Sequence, residues 1–314
     1  MKKTFRANLY FLIILLIQIF APYLLSPLFI GLGVPLIGVL VLNHICLFII
    51  PAIFYFIITK ESVKDTLRLN QVSIKELLLA VLIGLLSQPI TMFFSLVTSF
   101  FFPNNVAMVI GKMNSVPYIV MLLVIAVMPA ITEEITIRGI VLKGYDNKSI
   151  IKAAIITGLM FGMFHLTACQ FLYATALGAL FAYMVRITNS IFISAIAHFI
   201  VNGTQVTLQR LMQMRGVNPS SDEISKQTSE LLNMPWIAKI GVAVFWGIIA
   251  VLFFMLIIKV LRKMKKIAKQ RGVDHSEIEN SFYGKREVRD PILDIPFIIS
   301  VVVYLMYMVA TIFR

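Results

Sequence analysis

Residues 121–142 read MLLVIAVMPAITEEITIRGIVL, an apolar helix interrupted by Pro129 and by two adjacent carboxylates, Glu133 and Glu134. Charge inside a membrane-spanning segment is costly, so the ionisable residues tolerated there are functional candidates. Glu134 and Arg138 stand four apart on one helical face, with the acid N-terminal to the base, the favoured order for an ion pair. Glu133 is rotated by about 100° and cannot use the same arginine equally well. One carboxylate is neutralised and the other stays available as a base. Pro129, a turn before Glu133, lacks a backbone N–H and should loosen the helix and free a carbonyl.

The whole chain agrees with a membrane reading of that stretch. Its 314 residues are 59% hydrophobic and 14% charged, with a mean hydropathy of +0.91, whereas soluble domains carry about 25% charge. Runs long enough to cross a bilayer, which takes about 20 apolar residues, fall near 8–30, 34–59, 77–102, 117–137, 150–168, 170–185, 190–208, 236–258 and 292–313. The expected fold is all-α, a polytopic bundle of eight or nine transmembrane helices around a polar intramembrane cavity. The first run, broken by Pro22 and Pro27, and the narrow gap around Cys169 and Gln170 leave the count open. Cys46 and Cys169 lie in apolar runs, where they read as packing residues.

The net charge of +13 is membrane topology rather than a nucleic-acid footprint. Lys2, Lys3 and Arg6 precede an apolar run with no small-residue cleavage site, which reads as an anchor with the N-terminus inside. With nine spans, 22 of the 28 Lys and Arg fall on inner segments and six on outer ones, as the positive-inside rule requires. The segment KVLRKMKKIAKQR, in a basic loop over 259–291, is expected to lie along the anionic inner leaflet.

Three of the four histidines, His44, His165 and His198, are in apolar runs, and His275 is in the basic loop. His44 has no polar residue four positions away and reads as a hydrogen bonder between helices. His165 shares a face with Phe161 and Thr157, on a helix whose Gly158 and Gly162 form a close-packing stripe. Ser194, His198 and Asn202 repeat every four residues, so a hydroxyl, an imidazole and an amide line one face. Together these helices supply a base, orienting groups and oxyanion donors, the parts of a hydrolase. Acids and imidazoles can activate water directly or hold a Zn²⁺ ion that does so, and spacing does not separate the two.

Glu133-Glu134-xxx-Arg138, Phe161-xxx-His165 and His198-xxx-Asn202, in that order on successive helices, resemble the CAAX-protease and bacteriocin-processing (CPBP, or Abi) family of intramembrane proteases. The resemblance covers about 117–205. It divides the chain into N-terminal helices over 1–116, a catalytic core over 117–208 and C-terminal helices over 209–314. It implies that Glu133 is the general base, that His165 holds the attacking water, and that His198 and Asn202 stabilise the oxyanion. Glu134 and Arg138 would maintain the site as an ion pair, with Phe161 in support. The family is often classed as metalloproteases, yet the chain lacks HExxH; if a metal is bound, Glu133, His165 and His198 are its ligands. The implied partners are a membrane-associated peptide or protein and the bilayer, in a bacterial cytoplasmic membrane, with no nucleic acid. The competing readings are an inert immunity or scaffold protein and a proton-coupled transporter, since buried carboxylates and histidines also make proton relays.

Overall fold

The computed structural model describes residues 2–103, 113, 115–217, 221–273 and 290–312; His275 and residues 274–289 of the basic loop lie outside them. The protein is an all-α polytopic membrane bundle, with no strand among the described residues. Among the described residues seven helices are long and apolar enough to cross a membrane: α1 (Lys3–Gly31), α2 (Leu36–Thr59), α3 (Ile74–Ser99), α4 (Tyr118–Val141), α6 (Ala168–Thr188), α7 (Ile191–Met214) and α9 (Trp236–Gln270). Two shorter apolar helices are α5 (Ile150–Phe164) and α10 (Ile295–Ile312), and the polar α8 spans Ser221–Asn233. Both prolines of the first run sit inside an unbroken α1. KVLRKMKKIAKQR differs from the expectation, because it continues α9 without a break to Gln270 instead of turning into a separate surface element. Leu261, Met264 and Ala268 keep it packed against the bundle.

The fifth run departs most from its expected span. Ser149 starts α5, its hydroxyl accepting from the Lys152 amide at 3.1 Å, and the helix stops at Phe164 after 15 residues. At 1.5 Å per residue that is about 22 Å, short of a hydrocarbon core of about 30 Å. The backbone reverses through Leu166, at a positive φ of 53°, and α6 begins two residues later. The glycine stripe permits this tight hairpin. A Cβ on Gly158 would lie 2.5 Å from the Ala179 nitrogen of α6, and one on Gly178 would lie 2.9 Å from the Gly158 Cα. His165 therefore caps a helix that ends within the bundle.

One polar layer ties the helix ends together. At its edge the Thr4 hydroxyl donates to Asp290 at 2.9 Å, Asn8 Nδ2 donates to Asp294 at 2.9 Å, and the Tyr145 hydroxyl donates to Asn8 at 2.5 Å. Arg6 pairs with Glu61 at 2.6 Å. Arg68 pairs with Asp146, while Arg186 donates to the carbonyls of Tyr145, Asp146 and Lys148. Arg271 pairs with Glu76 at 3.0 Å and donates to the Thr188 carbonyl at 2.6 Å. These residues come from the segments assigned to one side by their lysines and arginines: the N-terminus, 60–75, 138–152, Arg186 and the loop after α9. The charge count and the hydrogen bonding thus give the same grouping of ends.

Asp146 is the hub of that layer. Burial would raise its pKa, but Arg68, Lys143 and Arg186 around it outweigh burial and hold the carboxyl below its ordinary value. A depressed folded pKa contributes stability that is present above the ordinary carboxylate value, about 4, and is lost as pH falls through the folded one. Asp146→Asn should therefore lower the thermal midpoint at neutral pH, and its deficit against the wild type should shrink as the pH of a melting series drops below about 4. A deficit unchanged down to pH 2 would remove Asp146 from this role.

Candidate active site

The local backbone of α4 is set by Pro129. The helix is α-helical over Met128–Glu134 but π-helical on either side, over Leu123–Val127 and Ile135–Val141. Such wide turns recur at functional sites because they re-aim side chains. Without an N–H, Pro129 cannot bond the carbonyl four residues back, that of Ile125. Asn202 Nδ2 of α7 donates to that carbonyl at 3.2 Å. The carbonyl freed by the proline is thus taken by the amide that the resemblance assigns to the oxyanion. Asn202 sews α7 to α4 here, and one of its amide donors is committed to the backbone.

Below that contact four charged or ionisable groups converge. Glu134 Oε1 lies 2.9 Å from Arg138 Nη1 and 2.8 Å from His198 Nδ1. Glu134 is 1% exposed and Arg138 0%. The guanidinium rests 4.2 Å from the centre of the Phe161 ring and 5.4 Å from that of Phe181. A cation stacked on aromatic faces gains electrostatic attraction where water is absent. The second nitrogen of His198, Nε2, stands 3.8 Å from Glu133 Oε2, and the Glu133 side chain is 13% exposed. His198 therefore bridges two unlike carboxylates, one sealed against an arginine and one open. His165 is held otherwise, with Nδ1 2.8 Å from the Phe161 carbonyl and its ring edge-on to Phe161 at 4.7 Å. Ser194 is buried on the same face of α7 and donates to the Ile191 carbonyl at 3.0 Å.

His44 also reaches this region. Its Nδ1 lies 2.8 Å from the Thr132 hydroxyl, next to Glu133, and its ring stacks on Phe48 at 5.1 Å. The Thr132 hydroxyl already donates to the Met128 carbonyl at 2.9 Å, so it accepts from His44. No sequence signal marks this placement, because the polar partner is 88 residues away. Acceptor-only partners fix all three rings the same way. The Thr132 oxygen, the Phe161 carbonyl and the Glu134 carboxylate each require Nδ1–H, which leaves Nε2 as the second nitrogen on His44, His165 and His198.

Residues 115–204 match the family described as type II CAAX prenyl endopeptidase Rce1-like. The match covers 90 of the chain's 314 residues. It runs from just before α4 to Thr204 of α7 and so contains Glu133, Glu134, Arg138, Phe161, His165, His198 and Asn202. By its description that family is one of CAAX prenyl endopeptidases, and the segment is similar to it. No curated protein and no solved structure matches the chain.

The arrangement of donors does not fit a metal centre. Among the described residues no three His, Cys, Asp or Glu side chains are grouped so as to hold an ion. Glu133, His165 and His198, the ligands anticipated if a metal is bound, are thus not gathered as such a group in this structure, and the reaction is derived from these side chains without one.

Removing the charge of Glu134 strands a guanidinium in a dry interior, and breaking one side of a buried pair costs about 3–5 kcal/mol. Glu134→Gln should lower the unfolding free energy by about that amount. Arg138→Gln combined with it should restore part of the loss. A single variant that melts with the wild type would show that the pair is not what holds these helices.

Proposed function

We propose that the protein is an intramembrane endopeptidase that cleaves a membrane-associated peptide or protein with water activated by Glu133. The observation carrying this reading is the asymmetry across His198. Glu134 is neutralised by Arg138 and sealed, whereas Glu133, 3.8 Å from the other nitrogen of the same ring, is partly open and has no such partner on its own helix. A carboxylate free to take a proton beside one locked in an ion pair is the division of labour that general base catalysis needs. The match over 115–204 supports the reaction class.

The chemistry follows from these groups. A water between Glu133 and His165 Nε2 attacks the scissile carbonyl carbon as Glu133 takes its proton. The new C–O bond places negative charge on the carbonyl oxygen. Glu133 then gives the proton to the amide nitrogen, the C–N bond breaks as the oxyanion collapses, and a carboxylic acid, which keeps the second proton of the water, and an amine leave. His198, when protonated on both nitrogens, donates from Nε2 to the oxyanion; with Glu133 by then protonated, the charges of Glu134, Arg138, His198 and the oxyanion sum to zero. Donors aimed at developing charge in a dry site are worth more than in water. Asn202 contributes the N–H that Ile125 does not use, and its first duty is to hold α7 against α4.

Glu133→Gln keeps the size and polarity of the side chain, so it should fold like the wild type and lose proteolysis by about 10²–10⁴-fold. The measurement is a comparison of cleaved membrane proteins in cells carrying either form, followed by turnover of a recovered substrate by purified protein with and without chelator. Activity insensitive to chelation is expected. Turnover by the Gln variant near the wild-type rate would end the base assignment, and unchanged membrane proteomes would favour the scaffold or transporter readings.

The polar layer of helix ends is proposed to face the cytoplasm, with the N-terminus inside a bacterial membrane. A reporter fused after Lys269 should then read cytoplasmic and one inserted near Ser220 external. Reversed signals would invert this topology, and equal signals would remove α9 as a crossing.

A further inference from the structure

Away from the carboxylate cluster, α9 leans off α5 and α6 and leaves a groove of about 1070 Å³. Ile90, Phe93 and Phe94 of α3 and Leu180 of α6 are among its walls, and Ile151 and Ile155 of α5 line it with their side chains more than half exposed. Along α9 it runs from Val244 to Lys265, about 31 Å at 1.5 Å per residue, which is the height of a hydrocarbon core. Its composition changes at one end only. Apart from Ser87, whose hydroxyl is turned to the Ile83 carbonyl, the lining is apolar or aromatic until the last turns of α9, where Arg262 and Lys265 join it, and no acidic residue lines it. That end is the end of the polar layer, since Arg271, two turns on, pairs with Glu76 and bonds Thr188.

The dimensions and the charge select the occupant. Extended hydrocarbon chains are slender enough for the groove and match its length of about one hydrocarbon core. Walls of this kind inside a bilayer are covered by chains, and a headless hydrocarbon has no use for two cations at the mouth. Basic pockets between helices on one side of a membrane recognise anionic headgroups. We propose that the groove is a binding site for an anionic phospholipid, with acyl chains between α3, α5, α6 and α9 and its phosphate at Arg262 and Lys265. The site is separate from the cluster around Glu133, and the proposal does not depend on the protease reading.

The test uses the full-length protein, stripped of lipid in detergent and titrated with phosphatidylglycerol or phosphatidylcholine of the same chains, with bound lipid counted by native mass spectrometry. One phosphatidylglycerol should bind in preference to phosphatidylcholine. Each basic residue at a membrane surface contributes about fivefold to anionic lipid binding. Arg262→Gln with Lys265→Gln should then weaken phosphatidylglycerol by roughly thirtyfold and leave phosphatidylcholine unchanged. Ile151→Trp, an exposed wall position, should weaken both lipids without moving the melting midpoint. Equal binding of the two lipids by the wild type, retention of phosphatidylglycerol by the double variant, or indifference to Ile151→Trp would each overturn the proposal. Stoichiometric displacement of the phospholipid by a lipidated peptide would also overturn it, because the groove would then belong to substrate.

Discussion

The guanidinium of Arg138 is the constraint on which the bundle depends. It is fully buried in a chain whose surroundings are hydrocarbon, where an isolated charge is intolerable. Four helices meet around it. Glu134 of its own helix α4 neutralises it, Phe161 of α5 and Phe181 of α6 present their ring faces, and His198 of α7 donates to the same carboxylate oxygen. Its backbone carbonyl accepts from Arg68, which in turn pairs with Asp146 in the polar layer. Removing any one partner leaves a charge or a lone pair exposed to a low dielectric, so the positions of α4, α5, α6 and α7 are coupled through one side chain.

Reach then explains why α5 is short. Phe161 must stack on Arg138 while His165, one turn later, comes to the same region, and a helix continuing across the membrane would carry later residues past it. Ending α5 at Phe164 and reversing at Leu166 leaves His165 at the end of the helix, its ring turned back onto the Phe161 carbonyl. The cost of that reversal is reduced by glycines 158, 162 and 178, which let the backbones of α5 and α6 approach too closely for any Cβ. The same close approach leaves α9 outside, and the groove lies where α9 does not follow.

What could be read in the sequence was what lies within one helix. Glu134 and Arg138 declare themselves at i and i+4, the glycine stripe of α5 shows as a period of four, and apolar runs give the order of the helices. Contacts between helices have no such period. His198 and Glu134 are 64 residues apart, and only a resemblance to a family could place them in one site. The end of α5 was hidden because hydropathy measures how long a run is, not where the backbone turns, and Leu166 adopts its positive φ without a glycine to announce it. Pro129 announced a freed carbonyl, but that Asn202 would fill it depends on the register of α7 against α4. That contact also changes what Asn202 is for, since an amide bound to the backbone positions a helix before it meets any substrate.

The three histidines show how a membrane interior sets tautomers without using charge. Each ring is held at Nδ1 by an atom that can only accept: a hydroxyl whose proton is already given to Met128, a helix-end carbonyl, and a carboxylate pinned by arginine. Oriented by such partners, an imidazole keeps Nε2 for work, which is the role second partners play for working histidines generally. The partners differ in what they ask of the ring. Thr132 and Phe161 offer neutral oxygens, and Glu134 offers a charged one. In the proposed reaction His198 donates toward the oxyanion and His165 accepts from water, and their Nδ1 atoms meet a carboxylate and a carbonyl respectively.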